Sequence, residues 1–268
     1  MKELAVCVSN DNRGKTFYET VDAIVNANFK NVFIQWYDKD FDVSQEEQLK
    51  YIRSRGLNVI FAHLGYDGIN NIWLDGEEGE RLVKKYLRNL DECKSNGIDM
   101  VMMHIVVGFN TPEINDLGLS RFKRICDYAR ELGIRVAFEN TKTHGYQERL
   151  INEFSETGIC FDCGHYHCHF KDELDFNLFK DRIYCVHIHD NYGEFDDHLI
   201  PFEGTLDFNK VIDALILCNY NSYLTLESCM AKAKYHDMSC DEFYKKLYDA
   251  GVKLLDLYNE RKKLKCLI

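Results

Sequence analysis

The stretch LGIRVAFENT, residues 132–141, holds the pattern that decides the fold. Gly133 can take the left-handed conformation that ends a helix without a Cβ penalty. The run Ile134–Phe138, apolar but for Arg135, follows at once, and it stops at Glu139, Asn140 and Thr141. The amphipathic stretch before it, LSRFKRICDYARELG (119–133), has helical spacing. The segment therefore reads as helix, glycine turn, buried strand and polar strand end. The same turn recurs in RGLNV (55–59), NGIDM (96–100) and TGICF (157–161).

Working outward from this unit, the chain divides into eight strand–helix pairs. The expected strands are LAVCVS (4–9), NVFIQW (31–36), NVIFAHL (58–64), DMVMMHIVV (99–107), RVAFENT (135–141), ICFDCG (159–164), IYCVHIHD (183–190) and YLTLES (223–228). The expected helices cover 16–29, 44–56, 77–97, 119–133, 146–158, 172–181, 207–220 and 239–263. Ser44 stands as an N-cap with Glu47 three residues on, and Gly56 as the stop. Continuous apolar strands suit a parallel sheet buried on both faces. Eight such units in 268 residues predict an α/β fold, a (β/α)8 TIM barrel, as a single domain over 1–268. A doubly wound open sheet fits less well, because the first βα turn, SNDNRGKT, lacks the glycine-rich phosphate loop of that fold.

Composition narrows the function classes. The net charge of −11 gives no electrostatic footprint for a polyanion, although a local basic patch can sit on an acidic protein. No apolar run approaches the roughly 18 residues that span a bilayer, and MKELAVCVSN turns polar before a signal peptide could form. The 11 cysteines are scattered singly through apolar segments, which suggests reduced core thiols and a cytoplasmic protein. Cys160 and Cys163 form one C-x-x-C, a weak zinc signal without a second pair. The charged end of the last helix, NERKKLKC, suggests a solvated terminus rather than an interface.

In a parallel barrel the chemistry sits at the carboxyl ends of the strands. Those ends carry His63, His104, Glu139, Asp162, His187 with His189, and Glu227. Six consecutive strands thus end on a side chain able to hold a metal, and uncompensated buried charge is costly. Alternation adds the phase. With Glu139 inward, Ala137 is inward and Phe138 meets the helices. With Asp162 inward, Phe161 and Cys163 point out. His187 and His189 share one face. The segment FDCGHYHCHF (161–170) adds His165, His167 and His169, and the long loop 191–208 adds Asp196, Asp197 and His198, with Pro201 and Gly204 fixing its turns.

Taken together, AFENT, FDCGH, HIHDN, DDH, FEGTLDF and TLES resemble the xylose isomerase-like superfamily of TIM barrels. That superfamily contains sugar and sugar-phosphate isomerases and epimerases, and AP endonucleases of the endonuclease IV type. The resemblance implies a central metal quartet of Glu139, Asp162, His187 and Glu227. It implies a second site in which His63 and His104 join Glu139, and a third made by His165, Asp196 and His198. His167 and His169 match no ligand and read as structural or substrate-proximal. Ser228-Cys229 stands where the endonuclease branch has Thr-Pro, and YHCHF also departs from that branch.

The expected activity is a divalent-metal-dependent isomerisation or epimerisation of a small carbohydrate, a sugar or sugar phosphate, with one to three zinc or manganese ions. Glu139 and Glu227 would move a proton next to a carbonyl. His165 or His189 would bind substrate hydroxyls, Trp36 and Tyr66 would wall the pocket, and Lys142 could meet a phosphate or carboxylate. The alternative is zinc-dependent phosphoester hydrolysis, the only reading that would bring a nucleic acid. A lyase, a dehydratase or a non-catalytic metal-binding barrel is the remaining possibility.

Overall fold

The computed structural model describes residues 3–9, 15–37, 43–170 and 175–265. Its strands are β1 (Leu4–Val8), β2 (Asn31–Trp36), β3 (Asn58–Leu64), β4 (Met100–Met103), β5 (Arg135–Glu139), β6 (Gly158–Asp162), β7 (Ile183–His187) and β8 (Leu224–Leu226). All pairs are parallel, in the order β7-β6-β5-β4-β3-β2-β1-β8. The two outer strands meet through a parallel bridge between Ile188 and Leu226. There Ile188 N donates to Thr225 O at 2.9 Å and Glu227 N to Ile188 O at 3.0 Å. Closure of this kind removes the open edges of a sheet, and it excludes the doubly wound alternative.

The helices are α1 (Phe17–Asn26), α2 (Gln45–Ser54), α3 (Glu77–Ser95), α4 (Asp116–Leu132), α5 (Tyr146–Glu153), α6 (Cys163–His165), α7 (Phe208–Leu217) and α8 (Cys240–Lys265). Ser44 caps α2, its side chain accepting from Glu47 N. Three of the four glycine turns do what the sequence suggests, with φ of +78° at Gly56, +71° at Gly97 and +69° at Gly133. Gly158 plays another part. It opens β6, and a Cβ there would lie 2.4 Å from the Tyr184 ring. Its smallness admits a neighbour's side chain rather than a left-handed turn.

Alternation sorts the core into two layers. Cys7, Phe33, Phe61, Met100, Met102, Ala137, Cys160 and Cys185 fill the barrel interior. Val32, Ile34, Phe138, Phe161, Cys163, Val186 and Ile188 join the larger layer packed under the helices. The C-x-x-C thiols thus face opposite sides and cannot chelate as a pair, and every described cysteine is free. Among the described residues no helix is long and apolar enough to cross a membrane.

Two expectations change. β4 and β8 are shorter than their apolar runs, so His104 and Glu227 stand one residue past the strand ends. The helix expected over 172–181 does not form across its described part. Residues 171–174 lie outside the described residues, and 176–182 make successive turns. The Asp175 side chain accepts from Asn177 N at 3.0 Å, a local bond that competes with helix. Helical backbone starts instead directly after β6, in α6 and the π-helical turn Tyr166–Phe170.

Candidate metal centre

β5, β6, β7 and β8 deliver Glu139, Asp162, His187 and Glu227 to one point at the carboxyl end of the barrel. His187 Nδ1 lies 2.7 Å from Glu139 Oε1, 3.1 Å from Glu227 Oε2 and 3.8 Å from Asp162 Oδ2. One donor atom from each of the four lies within 4.8 Å of the others. The His187 ring rests on Phe33, 5.0 Å between centroids and 15° from parallel, so an apolar floor seals the site from below.

Two further donor sets flank this quartet. His63 and His104 meet Glu139 from β3 and the end of β4. His63 Nδ1 faces Leu64 O at 3.0 Å. A carbonyl only accepts, so Nδ1 carries the proton and Nε2 is left for another partner. On the other side, His165 and His198 converge on Asp196 Oδ2, at 3.1 and 3.2 Å from their Nε2 atoms. Again both Nδ1 atoms face carbonyls, Asn140 O and Glu227 O, each at 2.8 Å. Fixing the far nitrogen in this way is how metal-binding histidines are oriented. His198 also holds a left-handed backbone, φ 48°, uncommon for a residue other than glycine.

Buried polar groups brace these side chains. Asn140 is fully buried and bonds both main-chain groups of Asp162 at 2.7 Å. Asp162 Oδ1 caps the helical turn by accepting from His165 N at 2.7 Å. His189 Nε2 reaches the Asp162 carboxylate at 3.1 Å, and its ring stacks on His198 at 3.9 Å. Gly164 makes room, since a Cβ there would lie 1.9 Å from His189 Cε1. Asp190 gathers the loop that carries Asp196 and His198 by accepting from Gly204 N and Leu206 N at 2.8 and 3.1 Å.

The protein's own charges show what the site is built to hold. Burial alone would raise the Glu227 pKa, but His187 and His198 bring it down to about 2. Glu139 is likewise held well below the ordinary carboxylate range, with His104 and His187 outweighing its burial. Burial disfavours charge on His165, yet Asp162, Asp196 and Glu139 push it up to about 10, and Asp196 and Glu227 push His198 up to about 9 against its burial. His187 is raised in the same manner. His63, lacking so close a carboxylate, falls to about 4 through burial and its neighbour His104. Four carboxylates thus draw positive charge to one point.

A divalent cation fits these donors. Glu139 Oε2 and Asp196 Oδ1 are buried and have no hydrogen-bond partner among the described residues. His104 Nε2 stands 2.7 Å from Glu139 Oε2 outside hydrogen-bond geometry. Two donors facing one another in that way suit a shared ion. Imidazole and carboxylate together are the donor types of zinc and manganese sites.

Above the donors lies a cavity of about 380 Å³ lined by His63, His104, Glu139, His165, Asp196, His198 and Glu227. Tyr66 and Lys142 line it as the sequence suggests, and Tyr66 stacks on His104 at 4.0 Å. Two expected lining residues do not. Trp36 is 2% exposed on the outer face of β2, where its Nε1 donates to Glu92 Oε2 at 3.0 Å. Phe33 and Gln35 face inward, so position 36 faces out. His189 lies wholly beneath His198 and acts on Asp162 rather than on the cavity. His167 and His169 stay off the lining too, His167 meeting Thr205 Oγ1 at 3.0 Å. The sequence reading missed Tyr37, Gln35 and Lys232, which all line the cavity. The parity that placed Glu139 would have found the first two from inward Phe33. No local signal marks Lys232.

A closed parallel barrel with buried histidines and carboxylates at its carboxyl end defines the class of protein. The chain belongs to the xylose isomerase-like TIM barrel family, whose profile matches residues 18–255. Among curated relatives it is 31% identical over 112 residues to an uncharacterized protein of Sinorhizobium fredii, y4fM, covering 41% of this chain and 35% of that one. It is 26% identical over 157 residues to inosose dehydratase of Lacticaseibacillus casei, covering 49% of this chain and 53% of that one. The matches thus span between about a third and a half of these relatives. The fold is shared with an IOLI protein with a bound zinc atom, at TM-score 0.77 and 15% identity over 96% of this chain and 99% of that one. It is shared with an L-ribulose 3-epimerase at TM-score 0.74 and 17% identity, over 100% and 98% of the two chains.

Proposed function

We propose that the chain is a divalent-metal-dependent isomerase or epimerase of a small polyhydroxy carbonyl compound. One observation carries the reading. Glu139 and Glu227, from strands that are not neighbours, bring carboxylates to the same imidazole nitrogen at 2.7 and 3.1 Å on the floor of a sugar-sized cavity. Both are held ionised at neutral pH, so neither has to lose a proton before it can act as a base. A substrate lying between them would lose a proton to one glutamate at the carbon next to its carbonyl. The proton would return from that glutamate or from its opposite. Return to the former carbonyl carbon, with the neighbouring hydroxyl giving up its proton and the former carbonyl oxygen gaining one, gives isomerisation; return to the opposite face of the original carbon gives epimerisation.

Glu139, Asp162, His187 and Glu227 would hold the ion, with His63 and His104, and His165, Asp196 and His198, offering places for two more. When bound, a divalent ion would polarise the carbonyl and stabilise the negative charge that develops on its oxygen. His165 lines the cavity with both ring nitrogens engaged, by Asn140 O and Asp196 Oδ2, so without an ion it would orient Asp196 rather than a substrate hydroxyl. The L-ribulose 3-epimerase that shares this fold, and the zinc in another such structure, support the reading. We take the protein to be cytoplasmic on its free thiols.

Completeness of the third donor set favours a second reading, phosphoester hydrolysis with several zinc ions. Metal analysis together with a sugar panel in D₂O separates the two. Deuterium incorporated from solvent into a ketose supports the isomerase. About three zinc per chain with phosphoester cleavage and no exchange would replace it with the hydrolase. Loss of water from the sugar would point instead to the chemistry named in the dehydratase relative.

A further inference from the structure

One buried thiol at the metal centre is not among its expected ligands. Cys160 stands on β6 two residues before Asp162, so both face the barrel interior. Strand register sets Cys160 opposite Glu139 of β5 on one side and Cys185 of β7 on the other. Its Sγ, a carboxylate oxygen of Glu139 and a ring nitrogen of His187 all lie within 4.8 Å of one another. Cys163, the other half of the C-x-x-C, packs under the helices and cannot join them.

All three residues are buried, Cys160 and His187 at 0% and Glu139 at 2% exposure. His187 turns its Nδ1 to the two glutamates, while its Nε2 is buried with no hydrogen-bond partner among the described residues. Glu139 Oε2 is in the same condition. Polar atoms left bare in a barrel interior are costly unless something pairs with them. The set differs from the quartet in its chemistry. Glu139, Asp162, His187 and Glu227 offer nitrogen and oxygen alone, whereas Cys160 adds sulfur. Thiolate sulfur favours zinc and other soft ions, and manganese favours carboxylate and water.

We propose that Cys160 is a further ligand of the metal centre, and that with Glu139 and His187 it makes a second, deeper position for a thiophilic divalent ion, zinc. The two positions share Glu139 and His187, so a single ion occupies one or the other. Manganese rests in the quartet. Zinc is drawn toward the sulfur, and the thiol releases its proton to solvent as the ion binds. Cys160 thereby selects zinc over manganese. The inference rests on the proposed function only for the presence of an ion, not for the reaction.

Cobalt(II) in place of zinc tests this, because a cobalt–thiolate bond gives a charge-transfer band in the near ultraviolet and cobalt held by nitrogen and oxygen does not. Wild type titrated with cobalt(II) should develop that band. Cys160→Ala should lose it and bind zinc about tenfold or more weakly, while manganese binds as in wild type. Retained manganese binding also reports that the fold is intact. Cys7→Ser and Cys229→Ser, which change the two thiols lining the cavity, should keep the band. X-ray absorption at the zinc edge of wild type needs no variant and should show one sulfur among the lighter ligand atoms. The deeper position is overturned when wild type shows no band, when the zinc edge fits nitrogen and oxygen alone, or when the band survives in Cys160→Ala. Manganese binding alongside any of these results sinks the thiol ligand and spares the quartet. A cobalt–sulfur band that depends on Cys160, without deuterium exchange into any sugar, keeps the ligand and sinks the isomerase.

Discussion

Asn140 holds Asp162 by both of its main-chain groups. The amide Nδ2 donates to Asp162 O and Oδ1 accepts from Asp162 N, each at 2.7 Å, while the carbonyl of Asn140 itself receives His165 Nδ1 at 2.8 Å. One buried residue past β5 thus sets the position of one carboxylate and the tautomer of one imidazole, although it offers nothing to the cavity. Replacing Asn140 by Ala should leave buried groups unpaired and cost about 1–3 kcal/mol of stability. Metal affinity should fall about 10–100-fold, the usual effect of removing a residue that orients ligands. Denaturant unfolding and chelator competition measure the two separately. Unchanged affinity in a folded N140A protein would show that the site does not need this brace.

Gly164→Ala tests the seat of His189. The new methyl would need the space of the imidazole, 1.9 Å away, and His189 is packed between Asp162 and the His198 ring. Overpacking of this kind costs about 1–3 kcal/mol. The variant should melt at lower temperature and take up less metal at equal concentration.

The site's histidines make metal uptake depend on pH. His165 and His198 have pKa values raised to about 10 and about 9 from an ordinary 6.5, so both are protonated at neutral pH in the ion-free protein. Their contribution to ion-free stability is fully present below about pH 6.5 and is lost as pH rises through about 9 to 10. A cation must displace those protons, so affinity should keep tightening as pH rises and level off only above about 9 to 10. Competition with a chromophoric chelator at three pH values measures it, and a flat profile would contradict these protonation states.

Glu227→Gln removes the charge and keeps the shape. Under the proposed mechanism, exchange of solvent deuterium into the sugar should drop by more than about 100-fold, in line with the weight of general acid–base catalysis. Persistent exchange at the wild-type rate would remove Glu227 from the proton-transfer step.

Trp36→Phe and Tyr37→Phe form a contrasting pair. The first loses the Glu92 bond of the outer layer and should lower stability by about 1 kcal/mol with KM untouched. The second changes the cavity wall and should alter KM with little change in melting temperature.

How much of this was written in the chain itself follows from the range of each interaction. The barrel could be read from sequence because its signals are local. A glycine must take positive φ where a helix stops, as at Gly56, Gly97 and Gly133, and an apolar run must alternate its faces, as from Ala137 to Glu139. The polar strand ends were visible for the same reason, and they carry His63, Glu139, Asp162 and His187. Tertiary structure decided the rest. Trp36 and Tyr37 exchange roles because packing against other strands turns Phe33 inward, and parity carries that choice along β2. His189 lies under His198 because Gly164, on another segment, leaves room for its ring. Lys232 reaches the cavity through a carbonyl 36 residues away in sequence. Residue spacing encodes turns and faces, but neighbours from distant strands are set by strand tilt and closure, which no short stretch of sequence contains.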